Sequence, residues 1–315
     1  MKKNNEFPEW IVNTFNQHQD QLSPRSKEFF EKILENFPHF DQSFLSIPST
    51  TAIGVLKSYD PAQVANQYGF KSSIEFILLN IFESFHFQTI YQLRELGASF
   101  FAALSEGRFY VSALLIRSML EVVSVNYYTL IKVENKLRQN LAYLKSATKT
   151  KSVSEKEKLL QIYYQGTYEI FSRLFDANTA TSIDWQKNLQ DKFGFTVSKS
   201  EKRKIIHVHD GIKDLAKASG LPLWEAYSNL SEFVHPNVGS KMLIVNTKHE
   251  HDPYMDAITL GENNSNSEAA LFFIDYMAES IFYTLTLALT LSDRGQKIIV
   301  LLDNMVKEEG SKTVH

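Results

Sequence analysis

Arg117 and Glu121 stand four positions apart in the stretch Phe109–Ile131, which holds no other charged residue. On a helix that spacing puts both on one stripe, together with Tyr110 and Tyr128. A helix that is apolar on every side is buried. A buried charge persists only if it is paired and hydrogen-bonded, or held for a ligand. The stretch therefore predicts a polar site inside the protein. One carboxylate can engage only two of the five N–H donors of a guanidinium, so Arg117 needs a further partner.

The candidate partner is the run Tyr227-Ser-Asn-Leu-Ser-Glu-Phe-Val-His-Pro-Asn237. Helical spacing makes Leu223, Tyr227, Leu230 and Val234 a core face, with Ser231 and His235 along its edge. The helix should stop before Pro236, which puts His235 in the last turn. There the helix dipole favours the protonated ring, and a nearby Glu121 would add to the effect. A protonatable histidine beside an Arg–Glu pair suits general acid–base catalysis. In that reading His235 transfers a proton, Arg117 neutralises phosphate charge and Glu121 orients Arg117, while Tyr227, Ser231 and Asn237 contact substrate. The competing reading is structural: Arg117 and Glu121 satisfy each other and fix helix register, His235 caps its helix, and the protein is a non-catalytic interaction or regulatory protein.

Arg117-Ser-Met-Leu-Glu121 followed by Tyr227-x-x-Leu-Ser231-x-x-x-His235 resembles the R-x-x-x-E … Y-x-x-L-S-x-x-x-H layout of certain bacterial all-helical proteins, which are distantly similar to HEPN-type bundles. The resemblance covers about residues 72–292. It implies a helical effector of the bacterial stress or phage-defence type, dimeric, with metal-independent RNA cleavage as its activity. The HEPN signature is an Arg, four to six residues and a His on one helix. In this chain Arg203 and His209 have that spacing, which chance readily supplies among this many Arg and His residues, and His235 has no Arg at that distance before it.

Glu83-x-x-His86 and Glu232-x-x-His235 repeat the spacing used by di-iron bundles, with Glu121 as a third contributor. A carboxylate/His metal site is thus a further alternative, although the expectation is that no metal and no cofactor is bound. His207 and His209 lie about 200° apart on a helix and do not share a metal. His249-Glu-His251-Asp252 reads as a solvated turn. Lys199–Lys204, with Lys145, Lys149 and Lys151, could line a basic edge for RNA. The chain has no Walker A loop, no Gly-rich dinucleotide loop and no nucleophile elbow, which disfavours nucleotide hydrolysis and dinucleotide-dependent redox chemistry.

The bulk properties fit helices that hold such a site. The chain has 315 residues, 43% hydrophobic and 22% charged, with only 12 Gly and 8 Pro, which speaks for long helices rather than a sandwich or a disordered chain. Its net charge is −3, so no global basic field draws it to nucleic acid or an anionic membrane. It has no Cys, which rules out disulfides, thiol nucleophiles and Cys-ligated zinc and suits a reducing cytoplasm. The first residues lack the apolar core of a signal peptide. Phe109–Ile131 and Ala269–Leu291 are long enough to span a membrane, but each carries charges at its middle, Arg117 and Glu121 in one and Asp275 and Glu279 in the other, so both read as core helices.

The expected fold is all-α, a multi-helix bundle with a short N-terminal helical arm and one small β-hairpin. Residues 1–70, punctuated by Pro8, Pro24, Pro38, Pro48 and Pro61, should form the arm or cap, with helices at 8–20, 24–36 and 61–67. Residues 71–310 should form the main bundle: helices at 72–105, 109–131 with a continuation over 132–147, 155–176, 201–218, 222–234, 268–291 and 295–308. The hairpin is expected at 241–260, from Lys241–Asn246 and Tyr254–Leu260. A homo-oligomer, and a protein partner reached through the arm, complete the expectation.

Overall fold

A computed structural model describes residues 7–48, 50–54, 56, 63–64, 66, 73–176, 208–234, 245–248, 257–260 and 267–311. The chain opens with α1 (Glu9–His18), whose first turn follows Pro8, and α2 (Pro24–Phe40). Pro24 takes the first helical position, where its missing N–H costs nothing. Ser23 caps the helix by accepting from the Ser26 amide at 3.2 Å. The sequence places the end of this helix before Pro38, but α2 runs through it and continues as a π turn over Asp41–Leu45, closed by the Ser46 amide on Asp41 O at 2.8 Å. Burial explains the overrun: Phe40 and Phe44 are fully enclosed, which offsets the hydrogen bond that proline removes.

Two long helices follow, α3 (Ser73–Ser105) and α4 (Phe109–Lys149). Gly97 does not break α3; a Cβ there would meet the Phe40 ring, so the glycine is what lets α2 come close. The corner between α3 and α4 is a Schellman turn. Gly107 takes a positive φ of 70°, its amide bonds Leu104 O at 3.1 Å and the Arg108 amide bonds Ala103 O at 2.8 Å, the pattern that glycine at a helix end permits. Then come α5 (Val153–Asp176), α6 (Val208–Ser219) and α7 (Leu223–Val234).

The last element, α8 (Ser267–Ser311), is one helix where the sequence predicts two with a break near Gly295. The i,i+4 pair Asp293–Lys297 at 2.7 Å and the packing of Gly295 outweigh the roughly 1 kcal/mol that a helical glycine costs.

The all-α class holds, and the expected hairpin is a correction. The packed core of the described residues is helical apart from a few residues such as Phe7 and Leu22 beside the helix ends. The hairpin drawn over Lys241–Asn246 and Tyr254–Leu260 is not seen with those strands. Between α7 and α8 the described residues form a four-residue antiparallel ladder, β1 (Val245–Lys248) against β2 (Ala257–Leu260), with Val245 opposite Leu260. A lone two-stranded ribbon has no sheet to bury a face against and is marginal in water, so β-branched residues alone are a poor guide there. Residues 241–244 and 249–256 lie outside the described residues, as do residues 61, 62, 65 and 67 of the expected helix at 61–67, whose described residues Gln63, Val64 and Asn66 are helical, and residues 201–207 of the expected helix at 201–218.

The chain divides into two compact units, each built from three stretches distant in sequence: Met1–Thr50, Thr89–Ser124 and Val208–Ser292 in the first, Thr51–Gln88, Val125–His207 and Asp293–His315 in the second. In the first, Phe7 meets Phe30, Phe37 and Phe101 edge-on at 5.5–5.7 Å, an arrangement aromatic rings prefer. The two acidic residues in the middle of the expected Ala269–Leu291 span are engaged by the start of α2: Ser23 N donates to Asp275 Oδ1 at 3.1 Å, and Arg25 pairs with Glu279. Two described helices, α4 and α8, are long and apolar enough to cross a membrane.

In the second unit, Glu134 receives Arg294 at 2.6 Å and Arg138 at 2.7 Å, and Arg294 also donates to Tyr127 Oη at 2.9 Å. His86 is 3% exposed, its ring is near-parallel to Phe82, and its Nδ1 has no hydrogen-bond partner among the described residues. It lies flat against Gly295, where any Cβ would overlap the imidazole. Burial disfavours the charged ring and lowers its pKa from 6.5 to about 4.

Two outcomes follow from this contact. Gly295→Ala should destabilise the protein by about 1–3 kcal/mol in urea titration, overpacking outweighing the better helix propensity, and His86→Ala in that background should recover part of the loss. Because His86 is harder to protonate when folded, the unfolded chain takes up the proton first as pH falls below 6.5. Stability should therefore drop between pH 6.5 and about 4, by up to about 3 kcal/mol, and then level off. His86→Gln should flatten that part of the stability–pH curve.

Candidate functional site

The first unit contains the predicted pair and its predicted neighbour. On α4, Arg117 Nε donates to Glu121 Oε1 at 3.1 Å. From α7, the Tyr227 hydroxyl reaches the same two groups: Arg117 Nη2 donates to it at 3.0 Å, and it lies 3.1 Å from Glu121 Oε1. The guanidinium also sits 5.1 Å from the Tyr227 ring centroid. Tyr227 holds this position because its own helix packs one face inward: Leu223, Ala226, Leu230 and Phe233 are buried, and Ser280 Oγ on α8 donates to Ala226 O at 3.2 Å.

Exposure corrects one expectation. The sequence predicts a polar site buried inside the protein, but the Arg117 and Glu121 side chains are 18% and 30% exposed. Val111, Leu114 and Leu115 on the same helix are only half-buried, so the helix is not enclosed on every face. The polar stripe lies at the edge of the core, where water or a ligand can reach it.

A second histidine, passed over as a ligand in the sequence, joins the cluster. His209 Nε2 on α6 is 3.4 Å from Tyr227 Oη. A phenol has one proton and two lone pairs. If that proton goes to Glu121 while Arg117 fills one lone pair, His209 can engage only by donating from a protonated Nε2. If the proton turns to His209 instead, Nε2 is the acceptor and Glu121 keeps Arg117 alone. Tyr227 is thus a switchable proton link between a carboxylate and an imidazole. Around it, Trp224 meets His209 edge-on at 5.7 Å and lies 5.9 Å from Tyr227, and Lys213 Nζ sits 4.5 Å over the Trp224 ring.

The other predicted residues fall differently. Ser231 donates its hydroxyl to Tyr227 O at 2.8 Å, one turn back on its own helix, so it serves the backbone and not the cluster. His235 and Asn237 lie outside the described residues, as do Arg203 and Lys199–Lys204. Lys145, Lys149 and Lys151 are exposed and belong to the second unit. Of the di-iron spacings, His86 is packed against Gly295, and among the described residues no three His, Asp or Glu side chains gather at a distance that would hold a metal.

Sequence reasoning missed His209, Lys213 and Trp224 as members of this site. The signals were present: His209 and Lys213 are i,i+4 on α6, and Trp224 and Tyr227 are i,i+3 on α7, so each pair shares a helix face. What the sequence lacked was the pairing of α6 with α7.

No protein-family model, no curated protein and no solved structure matches this chain. The function is therefore read from this geometry and its chemistry.

Tyr227→Phe removes the hydroxyl shared by Arg117, Glu121 and His209. Because two of these groups are partly hydrated, the expected loss is at the low end for a broken hydrogen-bond partner, about 1 kcal/mol by urea titration, with helix content unchanged by circular dichroism.

Proposed function

We propose that Arg117, Glu121, Tyr227 and His209 form the working site of a HEPN-like helical effector of the bacterial stress or phage-defence type, acting in the cytoplasm and cutting RNA without a metal ion. The observation that carries this reading is His209: the histidine of the Arg-x5-His spacing lies within reach of the Tyr227 hydroxyl on an accessible edge. Beside it, Arg117 uses two N–H groups on Glu121 and Tyr227, and its remaining donors meet no acceptor among the described residues.

That combination fits phosphodiester cleavage by the 2′-hydroxyl. Neutral His209 takes the 2′-hydroxyl proton as the 2′-oxygen bonds to phosphorus. The bond from phosphorus to the 5′-oxygen breaks, and that oxygen takes a proton from water. A 2′,3′-cyclic phosphate and a 5′-hydroxyl result. Arg117 offers its free donors to the phosphoryl oxygens as charge builds there. Glu121 and Tyr227 fix the guanidinium, so little reorganisation is needed at the moment of reaction.

The test is cleavage of a fluorescent single-stranded RNA in the presence of EDTA. Wild-type protein should cut it, and Arg117→Ala and His209→Ala should each lose about 100-fold or more while keeping native circular dichroism. A wild-type protein that never cuts RNA, or full activity in His209→Ala, overturns the proposal. His235→Ala separates the two histidines, since loss in that variant alone would move the proton transfer from His209 to His235.

A further inference from the structure

Trp224 has no role in the cleavage chemistry, yet it is 37% exposed beside the cluster. An indole left at the surface next to an arginine with unused donors calls for an explanation. Its flanks are defined: His209 stands edge-on at an interplanar angle of 89°, Tyr227 is tilted by 32°, and the Lys213 ammonium hangs over the ring at 4.5 Å. Lys213 is itself exposed, so its hold on the ring is a weak, water-competed cation–π contact. A nucleobase stacks on an aromatic side chain more strongly than that and shows no preference among bases.

The charges around the patch narrow the ligand further. Asp210 and Asp214 flank His209 and Lys213 in sequence on α6, Glu225 follows Trp224 on α7, and all three are exposed. Among the described residues, the patch therefore lacks the continuous basic field that draws the phosphate rails of a duplex. Affinity has to come from one phosphate and from contact with a base, and a base inside a duplex has no free face to offer.

Resting on the reading of Arg117 and His209 as an RNA site, we infer that Trp224 and Lys213 form a subsite for one unpaired base next to the phosphate held by Arg117, so that the substrate is single-stranded RNA. The entering base displaces the Lys213 ammonium from the indole face. Lys213 then becomes available to the neighbouring phosphate.

The test uses binding of the full chain to a labelled single-stranded 2′-O-methyl RNA, which has no free 2′-hydroxyl and is not cut, read by fluorescence anisotropy. The same sequence as a blunt duplex and a single strand with abasic sites serve as comparisons. Trp224→Ala should weaken single-strand binding about tenfold or more and Trp224→Phe less, while neither changes the weaker binding of the duplex or the abasic strand. The slope of log Kd against log salt should lie between about 0.7 and 1.4, the values for one phosphate at Arg117 alone and for a second at Lys213 on a single strand. Equal binding of the single strand by wild type and Trp224→Ala, duplex binding as tight as single-strand binding, or a slope above about 3 overturns the inference. Because binding and not cleavage is read here, base stacking by a protein that does not cut leaves this inference standing and overturns only the reaction, whereas a protein that cuts RNA but binds the single strand equally well in wild type and Trp224→Ala does the reverse.

Discussion

Arg117 places a full positive charge on a helix whose opposite face is core, and its hydrogen bonds to Glu121 and Tyr227 are what make that position tenable. A charge at the margin of a low-dielectric interior costs free energy unless it is paired, and pairing within one helix would satisfy only part of a guanidinium. The second partner has to come from another element, so α7 must lie against α4 in one register, with Tyr227 opposite the pair. The buried stripe Leu223, Ala226, Leu230 and Phe233 sets that register by packing. Hydrophobic burial positions the helix, and the polar contacts penalise any slip.

Much of the helical content was legible because apolar residues recur at helical spacing and because Pro24, Gly107 and Gly220 mark helix ends by known backbone rules. The Arg117–Glu121–Tyr227 contact was legible for another reason: a guanidinium has more donors than one carboxylate can fill, so a third group had to exist. The departures share a physical cause. Pro38 and Gly295 carry local signals to stop a helix, and both were overridden by packing, through Phe40 and Phe44 in one case and His86 in the other. The first strand of the ribbon runs on to Lys248, past the Asn246 end read in the sequence, because β propensity reports fit to a larger sheet and sets the ends of a lone ribbon poorly. His209 was set aside because two histidines two apart cannot share a metal. That argument is sound for metals and irrelevant to a hydrogen bond with a tyrosine from the next helix.

Glycine and histidine meet in the second unit with a different result from the first. His209 is exposed and has a polar partner, whereas His86 is enclosed by Phe82, Phe87 and Gly295 with one ring nitrogen unpaired. One imidazole is placed to exchange protons and the other is held neutral as a packing element. Composition does not distinguish them, since both lie on helices rich in apolar residues; only the neighbours do.

Each unit is assembled from stretches that lie far apart in the sequence, and each includes part of α8, which ends only at Ser311. A ribosome therefore releases most of the chain before either unit can close. During that interval α2 carries Phe29 without Phe282 and Tyr283, the α8 rings it later meets. Nascent apolar surface of this kind attracts chaperones and favours self-association, and contacts so remote along the chain slow folding. The architecture that encloses the phenylalanines thus makes the protein vulnerable to premature termination and dependent on the pace of its own synthesis.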